Sequence, residues 1–148
     1  MAVELKTQIE INAPVQRVWD VLTNFAAYPE WNPFIDEWKG RVTTGATVSF
    51  RFQFIRGVPI WTKANILRLE PGRELRWAAH VLTLRLFNGE RRIELTPMGQ
   101  SKTLLHHAEV FAGLAAVAPL IQLLVWLGWM SAPYRAMNSA LKKRVEVS

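Results

Sequence analysis

The chain has 148 residues, half of them hydrophobic and a fifth charged, and it contains no cysteine. These values exclude a disulfide framework, thiolate chemistry and a disordered chain, and the length predicts one domain over residues 1–148. The net charge is +6, but the basic residues are scattered and only the run KKR at 142–144 is a cluster, so we expect a solvated basic surface and no nucleic-acid partner.

Residues 1–11 (MAVELKTQIEI) predict a strand that is buried on one side. Apolar and polar residues alternate strictly, with one side formed by Val3, Leu5, Thr7, Ile9 and Ile11. The segment has no basic stretch followed by an apolar run, so no signal peptide is expected. Together with the lack of cysteine, this favours a cytoplasmic location.

The next stretch predicts two short helices. Asn12 suits a helix cap and Pro14 suits a first helical turn. Apolar residues then recur at helical spacing from Val15 to Leu22. The aromatic run YPEWNPF at 28–34 predicts a short helical turn followed by a loop.

From Phe34 to Phe111 the sequence alternates between strands and turns. The turn signals are VTTGA, RGVP, EPGR, FNGE and PMGQS, and the Asn-Gly pair in FNGE predicts a tight hairpin. Five turns imply six strands joined as an antiparallel meander. After Gly113 the pattern becomes helical and stays so nearly to the end. These features predict an α+β fold in which a long C-terminal helix covers the apolar face of a bent sheet.

Residues 113–130 (GLAAVAPLIQLLVWLGWM) raise a question of their own, because no charge occurs from Val110 to Tyr134. That length would cross a bilayer as a helix. The alternatives are a membrane anchor, a buried core helix and the wall of a cavity. Gln122 would be costly in lipid and Pro119 would kink a helix, so we favour a helix that covers the sheet.

The order of elements, with the motifs INAPVQRVWDVLTNFAAYPEWNPFI and HHAEVFAGL, resembles the START-like or SRPBCC superfamily. The most similar branch is the bacterial polyketide cyclase/dehydrase and lipid-transport group. The resemblance implies a helix-grip fold, with a seven-stranded sheet around a long C-terminal helix and a deep cavity between them. It implies a hydrophobic ligand of lipid, polyketide or aromatic type, without a cofactor. Some members cyclise polyketides and others only carry or sense a ligand. Binding is therefore the expected function, and a cyclase/dehydratase-type enzyme is the alternative.

Strand parity selects the polar candidates for a ligand site. Phe111 is a natural core residue, and Glu109 and His107 share its side of the strand. On the preceding strand Arg91 shares the side of Ile93, so Arg91, His107 and Glu109 are expected to point into the concave face. A structural network that satisfies its own charges is the competing interpretation. No catalytic motif is present, and these residues are too few for a closed metal site, so neither catalytic residues nor a metal are predicted.

The apolar candidates line the same expected cavity. Those on strands are Trp61, Trp77, Phe52 and Phe111, with Phe50 and Phe54 beside them, and those on the C-terminal helix are Val117 and Ile121. Ordinary core packing is the alternative for this set. A second apolar stripe on that helix is expected to be buried in the monomer by the sheet and loops, with a homodimer or membrane contact as alternatives. It comprises Leu120, Leu123, Leu127 and Met130, and Tyr134 continues it.

Overall fold

A computed structural model describes residues 2–55, 57–80, 88–113 and 118–147. Seven strands form one curved antiparallel sheet in these residues. They are β1 Ala2–Ile11, β2 Ile35–Lys39, β3 Thr47–Phe52, β4 Ile60–Glu70, β5 Glu74–His80, β6 Asn88–Pro97 and β7 Thr103–Ala112. The order β1-β7-β6-β5-β4-β3-β2 places the first strand beside the last, and the other strands follow as the predicted meander.

The sequence alternation determines which side of each strand is buried. In β1 the buried residues are Val3, Leu5 and Ile11, and in β3 they are Val48, Phe50 and Phe52. Breaks in the register occur near Ile35 in β2 and near Ile66 in β4. Such irregularities bend a strand, and here they help the sheet to curve around its apolar side.

Two short helices follow β1, as the sequence predicts. They are α1 Val15–Leu22 and α2 Tyr28–Trp31, with a 3-10 turn at Phe25–Ala27 between them. The prediction that Asn12 caps α1 is wrong, because Pro14 occupies the capping position. The backbone N–H of Asn12 instead donates to Glu146 Oε1 at 2.7 Å. Asn32 ends α2, and its Oδ1 accepts from the backbone N–H groups of Phe34 and Ile35 at 2.9 Å each.

The predicted helix-grip fold with its C-terminal helix is confirmed, but the helical region that follows β7 is divided into two helices instead of being continuous. The two parts are α3 Ala118–Trp126 and α4 Ala132–Val147. Pro119 lies in the first turn of α3, and the break comes later, at Gly128, whose φ is 81°. Gly128 N–H donates to Val125 and Trp129 N–H to Leu124, which is the Schellman pattern that ends a helix.

Within the described ranges 2–55, 57–80, 88–113 and 118–147, no helix is both long and apolar enough to cross a membrane. The second apolar stripe is not buried in the monomer, contrary to the sequence prediction. Leu120, Leu123 and Leu127 are exposed, whereas Val125 and Met130 are half-buried against the core. Val117 lies outside the described residues, as does the side chain of Ile121.

The tight hairpin predicted at Asn88-Gly89 is also wrong. Both residues belong to β6, where Asn88 is paired with His80 and Ala112, and Gly89 with Ala79 and Phe111. The connection at 81–87 lies outside the described residues. A turn therefore does not explain the glycine at position 89. Its close approach to the side chain of Glu109 on β7 does.

The helix break gives a test that distinguishes a divided helix from a continuous one. Gly128→Ala should lower the free energy of unfolding by about 1 kcal/mol, because alanine resists the left-handed conformation. Steric conflict should be minor, since an added Cβ would lie 3.5 Å from its nearest neighbour, Arg135 Nη2. Urea unfolding measures this change, and Gly128→Asn should cost less. A continuous helix would give the opposite sign, since alanine then stabilises by about 1 kcal/mol.

Candidate ligand-binding site

Three polar side chains lie buried on the concave side of β6 and β7. Arg91, His107 and Glu109 are 3%, 1% and 6% exposed, as the strand parity predicts. Arg91 and Glu109 are direct cross-strand partners, so the register itself brings their side chains together. Their orientation is confirmed, and their role in ligand binding stays a prediction.

An ion pair joins the two charged members of this group. Arg91 Nη2 lies 3.1 Å from Glu109 Oε2, and the hydroxyl of Tyr134 on α4 donates to the same carboxylate oxygen. Burial lowers the pKa of Arg91, but the charge of Glu109, the interaction with Tyr134 and the hydrogen bonds to both together outweigh burial, and the net shift of the pKa is upward. Burial and the Glu109 carboxylate both raise the pKa of Tyr134, so this phenol keeps its proton and acts as a donor.

Aromatic rings surround the guanidinium of Arg91. Its Cζ atom lies 4.6 Å from the ring centre of Phe34, 4.8 Å from that of Tyr134 and 5.3 Å from that of Trp77. Aromatic faces attract a cation, and the attraction is stronger where water is excluded. These rings therefore compensate part of the cost of burying Arg91 without using its N–H groups.

Two nitrogen atoms of Arg91 are unpaired hydrogen-bond donors within the described residues. Nε and Nη1 are buried and have no hydrogen-bond partner in the described part of the chain. Leaving a buried donor unpaired costs about 1–3 kcal/mol, and more for a charged group. Such a group is expected where a ligand supplies the missing acceptor.

His107 belongs to a second network that connects β7, β1 and α4. Asn138 Nδ2 donates to Thr7 Oγ1, and the Thr7 hydroxyl donates to the backbone oxygen of His107. This fixes Asn138 Oδ1 as the acceptor for His107 Nδ1, at 2.8 Å. His107 therefore carries its proton on Nδ1, and Nε2 has an unused lone pair, with no partner among the described residues.

A small cavity of about 140 Å³ lies on the concave side of the sheet. Its lining is mainly apolar, and Arg91 and Glu109 provide its charged groups. The lining residues are Phe50, Phe52, Phe54, Ile60, Thr62, Ala79, Gly89, Arg91, Glu109 and Phe111. An apolar cavity of similar size, about 150 Å³, holds a benzene ring. The volume thus suits one aromatic ring or one end of a longer molecule.

The missing side chain of Gly89 makes room for the carboxylate of Glu109. A Cβ atom placed on Gly89 would lie 2.6 Å from Glu109 Oε1, well inside van der Waals contact. Since Gly89 also lines the cavity, this glycine allows Glu109 Oε1 to lie at the cavity wall. This is the reason for glycine at a position that the sequence analysis assigned to a turn.

The structure sorts the predicted site residues other than Trp61 into three groups. Arg91, Glu109, Phe52 and Phe111 line the cavity, as do Phe50 and Phe54. His107 and Trp77 are buried beside it, where His107 packs against Tyr134 and Trp77 against Arg91. Val117 and the side chain of Ile121 lie outside the described residues.

The placement of Trp61 in the cavity is wrong. This residue is 43% exposed, and its ring lies 4.4 Å from Lys39 Nζ on the outer side of the sheet. The physical reason is the alternation of β4, which buries Thr62 and Ala64 and turns Trp61 and Lys63 outward. Strand parity predicts this outward orientation, because Trp61 is on the same side of β4 as Lys63.

Sequence reasoning missed several groups of the site. Tyr134 was assigned to an apolar stripe, although its hydroxyl completes the ion pair. Its spacing of four residues from Asn138, which buries both on one side of α4, was the available signal.

Among the described residues, no group of three or more potential metal ligands occurs.

Comparison with known proteins shows the family to which this chain belongs. The family model described as polyketide cyclase/dehydrase and lipid transport matches residues 2–146. The chain belongs to this family. Compared with curated protein sequences, the chain has no significant match.

Solved structures show the same fold at low sequence identity. The Zhui aromatase/cyclase from Streptomyces sp. R1128 has a TM-score of 0.79 and 14% identity, over 99% of this chain and 94% of that one. A START superfamily protein from Mycobacterium smegmatis has a TM-score of 0.73 and 20% identity, over 97% of both chains. A point mutant of norcoclaurine synthase from Thalictrum flavum has a TM-score of 0.76 and 14% identity, over 99% and 96%. The superfamily predicted from the sequence is confirmed.

The burial of His107 predicts a pH dependence of stability. Burial, together with the nearby charge of Arg91, lowers the pKa of His107 from 6.5 to about 3 despite its hydrogen bond with Asn138. As the pH falls, His107 therefore binds a proton near pH 6.5 in the unfolded chain but only near pH 3 in the folded chain. The free energy of unfolding is therefore highest above pH 6.5 and decreases as the pH falls below this value, because the unfolded chain then binds one proton more than the folded chain.

Urea unfolding of the native chain and of His107→Gln at pH 7 and pH 5 measures this effect. The native chain should lose about 2 kcal/mol more than the variant over this interval, since only the native chain has the suppressed imidazole. His106→Gln is the matched control, because His106 is on the outer side of the same strand and should leave the loss unchanged. Equal losses in the native chain and His107→Gln would contradict the suppressed pKa.

Proposed function

We propose that this protein binds a hydrophobic small molecule, of lipid, polyketide or aromatic type, in the cavity on the concave side of the sheet. The main support is Arg91, whose Nε and Nη1 atoms lack hydrogen-bond partners in the described ranges although the residue lines a mainly apolar cavity. Such cavities use a few polar groups to orient a ligand that hydrophobic contact holds. The ligand's polar or anionic end lies against Arg91, and its apolar part lies among Phe50, Phe52 and Phe111.

Hydrophobic contact provides most of the affinity in this proposal. Removing apolar surface from water contributes about 25 cal/mol per Å², so a single ring gains several kcal/mol on entering the cavity. One hydrogen bond to a charged donor adds about 1.5–3 kcal/mol and determines which end of the ligand faces Arg91. The resemblance to proteins described by lipid transport and by aromatase/cyclase activity supports the ligand class.

A matched pair of probes tests the role of Arg91. Acetophenone has a carbonyl acceptor, and α-methylstyrene has nearly the same shape without one. The native chain should bind acetophenone about 10- to 100-fold more tightly, as one charged hydrogen bond predicts. Titration followed by NMR chemical shifts measures both affinities.

Variants that keep the fold make this test specific. Replacing Arg91 alone would strand the buried charge of Glu109, so the whole group is exchanged in Arg91→Met, Glu109→Leu, Tyr134→Phe. This variant should bind both probes equally. The control exchanges an outward ion pair on β6, Arg92→Met with Glu94→Leu, whose Nε–Oε1 distance is 2.7 Å. A probe preference that persists in the first variant, or binding of neither probe to the native chain, would refute the proposal.

A cyclase/dehydratase-type enzyme is the second candidate, and the position of Glu109 favours it. Oε1 lies at the cavity wall beside Gly89, where a carboxylate could remove a proton from a ligand carbon next to a carbonyl. His107 is a weaker candidate for this step, since it does not line the cavity. The carbonyl oxygen would accept from Arg91, which stabilises the developing enolate.

Dehydration of a β-hydroxy aryl ketone separates the two candidates. Glu109 would take the proton from the carbon between the carbonyl and the alcohol carbon and return it to the leaving hydroxyl group. The hydroxyl departs as water, and the enone that remains absorbs in the near ultraviolet. An enzyme should form the enone. The variant Arg91→Met, Glu109→Leu, Tyr134→Phe, which removes the carboxylate without leaving a buried charge unpaired, should abolish turnover while the ketone still binds through hydrophobic contact. Binding without enone formation in the native chain would support the carrier function for this class of ligand.

A further inference from the structure

Five large apolar side chains are exposed on α3 and in the turn that follows it. Their exposed fractions are 56% for Leu120, 48% for Leu123, 78% for Trp126, 55% for Leu127 and 76% for Trp129. We refer to these five residues as the α3 patch. Monomeric proteins rarely expose so many large apolar groups together, and two exposed tryptophans within four residues are especially costly.

The stretch of chain that contains the patch carries only basic charges. No acidic residue occurs between Glu109 and Glu146, whereas this interval contains Arg135, Lys142, Lys143 and Arg144. Lys142 is paired with Glu146 and Arg144 with Glu30, so Arg135 and Lys143 are the cations that bear on the patch. Arg135 lies at the border of the patch, because its Nη2 is 3.3 Å from the backbone oxygen of Gly128 in the turn. Lys143 lies eight residues further along α4, on the same exposed side. The apolar patch therefore adjoins the cation of Arg135, and Lys143 provides a second exposed cation on α4.

We propose that the α3 patch docks onto the surface of an anionic lipid bilayer, with α3 lying in the plane of the membrane. Tryptophan prefers the bilayer interface, where its ring is among acyl chains and its N–H reaches the headgroups. A helix of nine residues extends about 14 Å, which suits an orientation along the surface. Arg135 and Lys143 then face the lipid phosphates, where each cation contributes to binding.

The same charges disfavour a second copy of the chain as the partner. In a twofold dimer formed through the α3 patch, each patch meets its own image, and the Arg135 side chains of both copies approach each other. Neither α3 nor the exposed part of α4 before Glu146 has a carboxylate to compensate them. Lipid phosphates provide this compensation, so the charge pattern matches an anionic membrane better than a self-complementary interface.

Co-sedimentation with vesicles tests the proposal. The native chain should sediment with vesicles of equimolar phosphatidylcholine and phosphatidylglycerol, and at least tenfold more weakly with phosphatidylcholine alone or in high salt. Trp126→Ser with Trp129→Ser should weaken binding by about tenfold or more, because it removes the interfacial rings. Arg135→Gln should weaken it about fivefold, the effect of one surface cation.

Matched controls distinguish the patch from general hydrophobicity. Leu67→Ser and Met98→Ser remove apolar groups that are 46% and 42% exposed elsewhere, and both should leave vesicle binding unchanged. All substituted side chains are exposed, and circular dichroism checks that each variant is folded.

Failure to sediment with anionic vesicles, equal binding to neutral ones, or equal loss in the controls would overturn the proposal. A dimer in light scattering that dissociates in Leu123→Glu, without vesicle binding by the native chain, would also overturn it in favour of self-association. None of these measurements involves the cavity, so the outcome is independent of the proposed function.

Discussion

The buried ion pair between Arg91 and Glu109 is the interaction on which the interior of this protein depends. A lone charge in a mainly apolar core would be prohibitively costly, and even a paired one is stable only when further hydrogen bonds and polarizable groups surround it. Phe34 and Trp77 provide aromatic faces for the cation, and Tyr134 donates a hydrogen bond to the carboxylate. The result is a neutral polar group with spare donors, enclosed by apolar strands. The cavity is therefore polar at one end and apolar elsewhere, which would orient a bound molecule.

The same polar groups fix α4 onto the sheet. Tyr134 reaches Glu109 on β7, and Asn138, one helical turn later, reaches His107 on β7 and Thr7 on β1. Apolar packing of Leu141 and Val145 would hold a helix here but would tolerate small slides, because hydrophobic contact has little directionality. Two hydrogen-bonding positions four residues apart define both the height and the rotation of α4. Thus the residues that shape the site also position the helix that covers it.

Much of the fold could be predicted from the sequence because strand alternation has a physical cause in the pleat. Parity correctly turned Arg91, His107 and Glu109 inward, and the number of turn signals correctly predicted seven strands, although one signal, Asn88-Gly89, lies within β6. The errors arose where one residue type serves two purposes. A glycine such as Gly128 can end a helix or be tolerated within it. Which of the two conformations it adopts depends on how α3 and α4 pack. Gly89 lies next to an asparagine as in a hairpin turn, but it is required by a side chain on the neighbouring strand.

The pairing of the first strand with the last has a consequence for synthesis of the chain. The hydroxyl of Thr7 and the backbone oxygen of His107 that accepts from it are 100 residues apart, so β1 has no partner until β7 has left the ribosome. At typical translation rates of about 5–20 residues per second, this interval lasts roughly 5–20 s. During that time β1 exposes an unpaired strand edge, which is a hazard for aggregation. The alternating charges Glu4, Lys6 and Glu10 on its outer side act as gatekeepers that keep the waiting strand in solution.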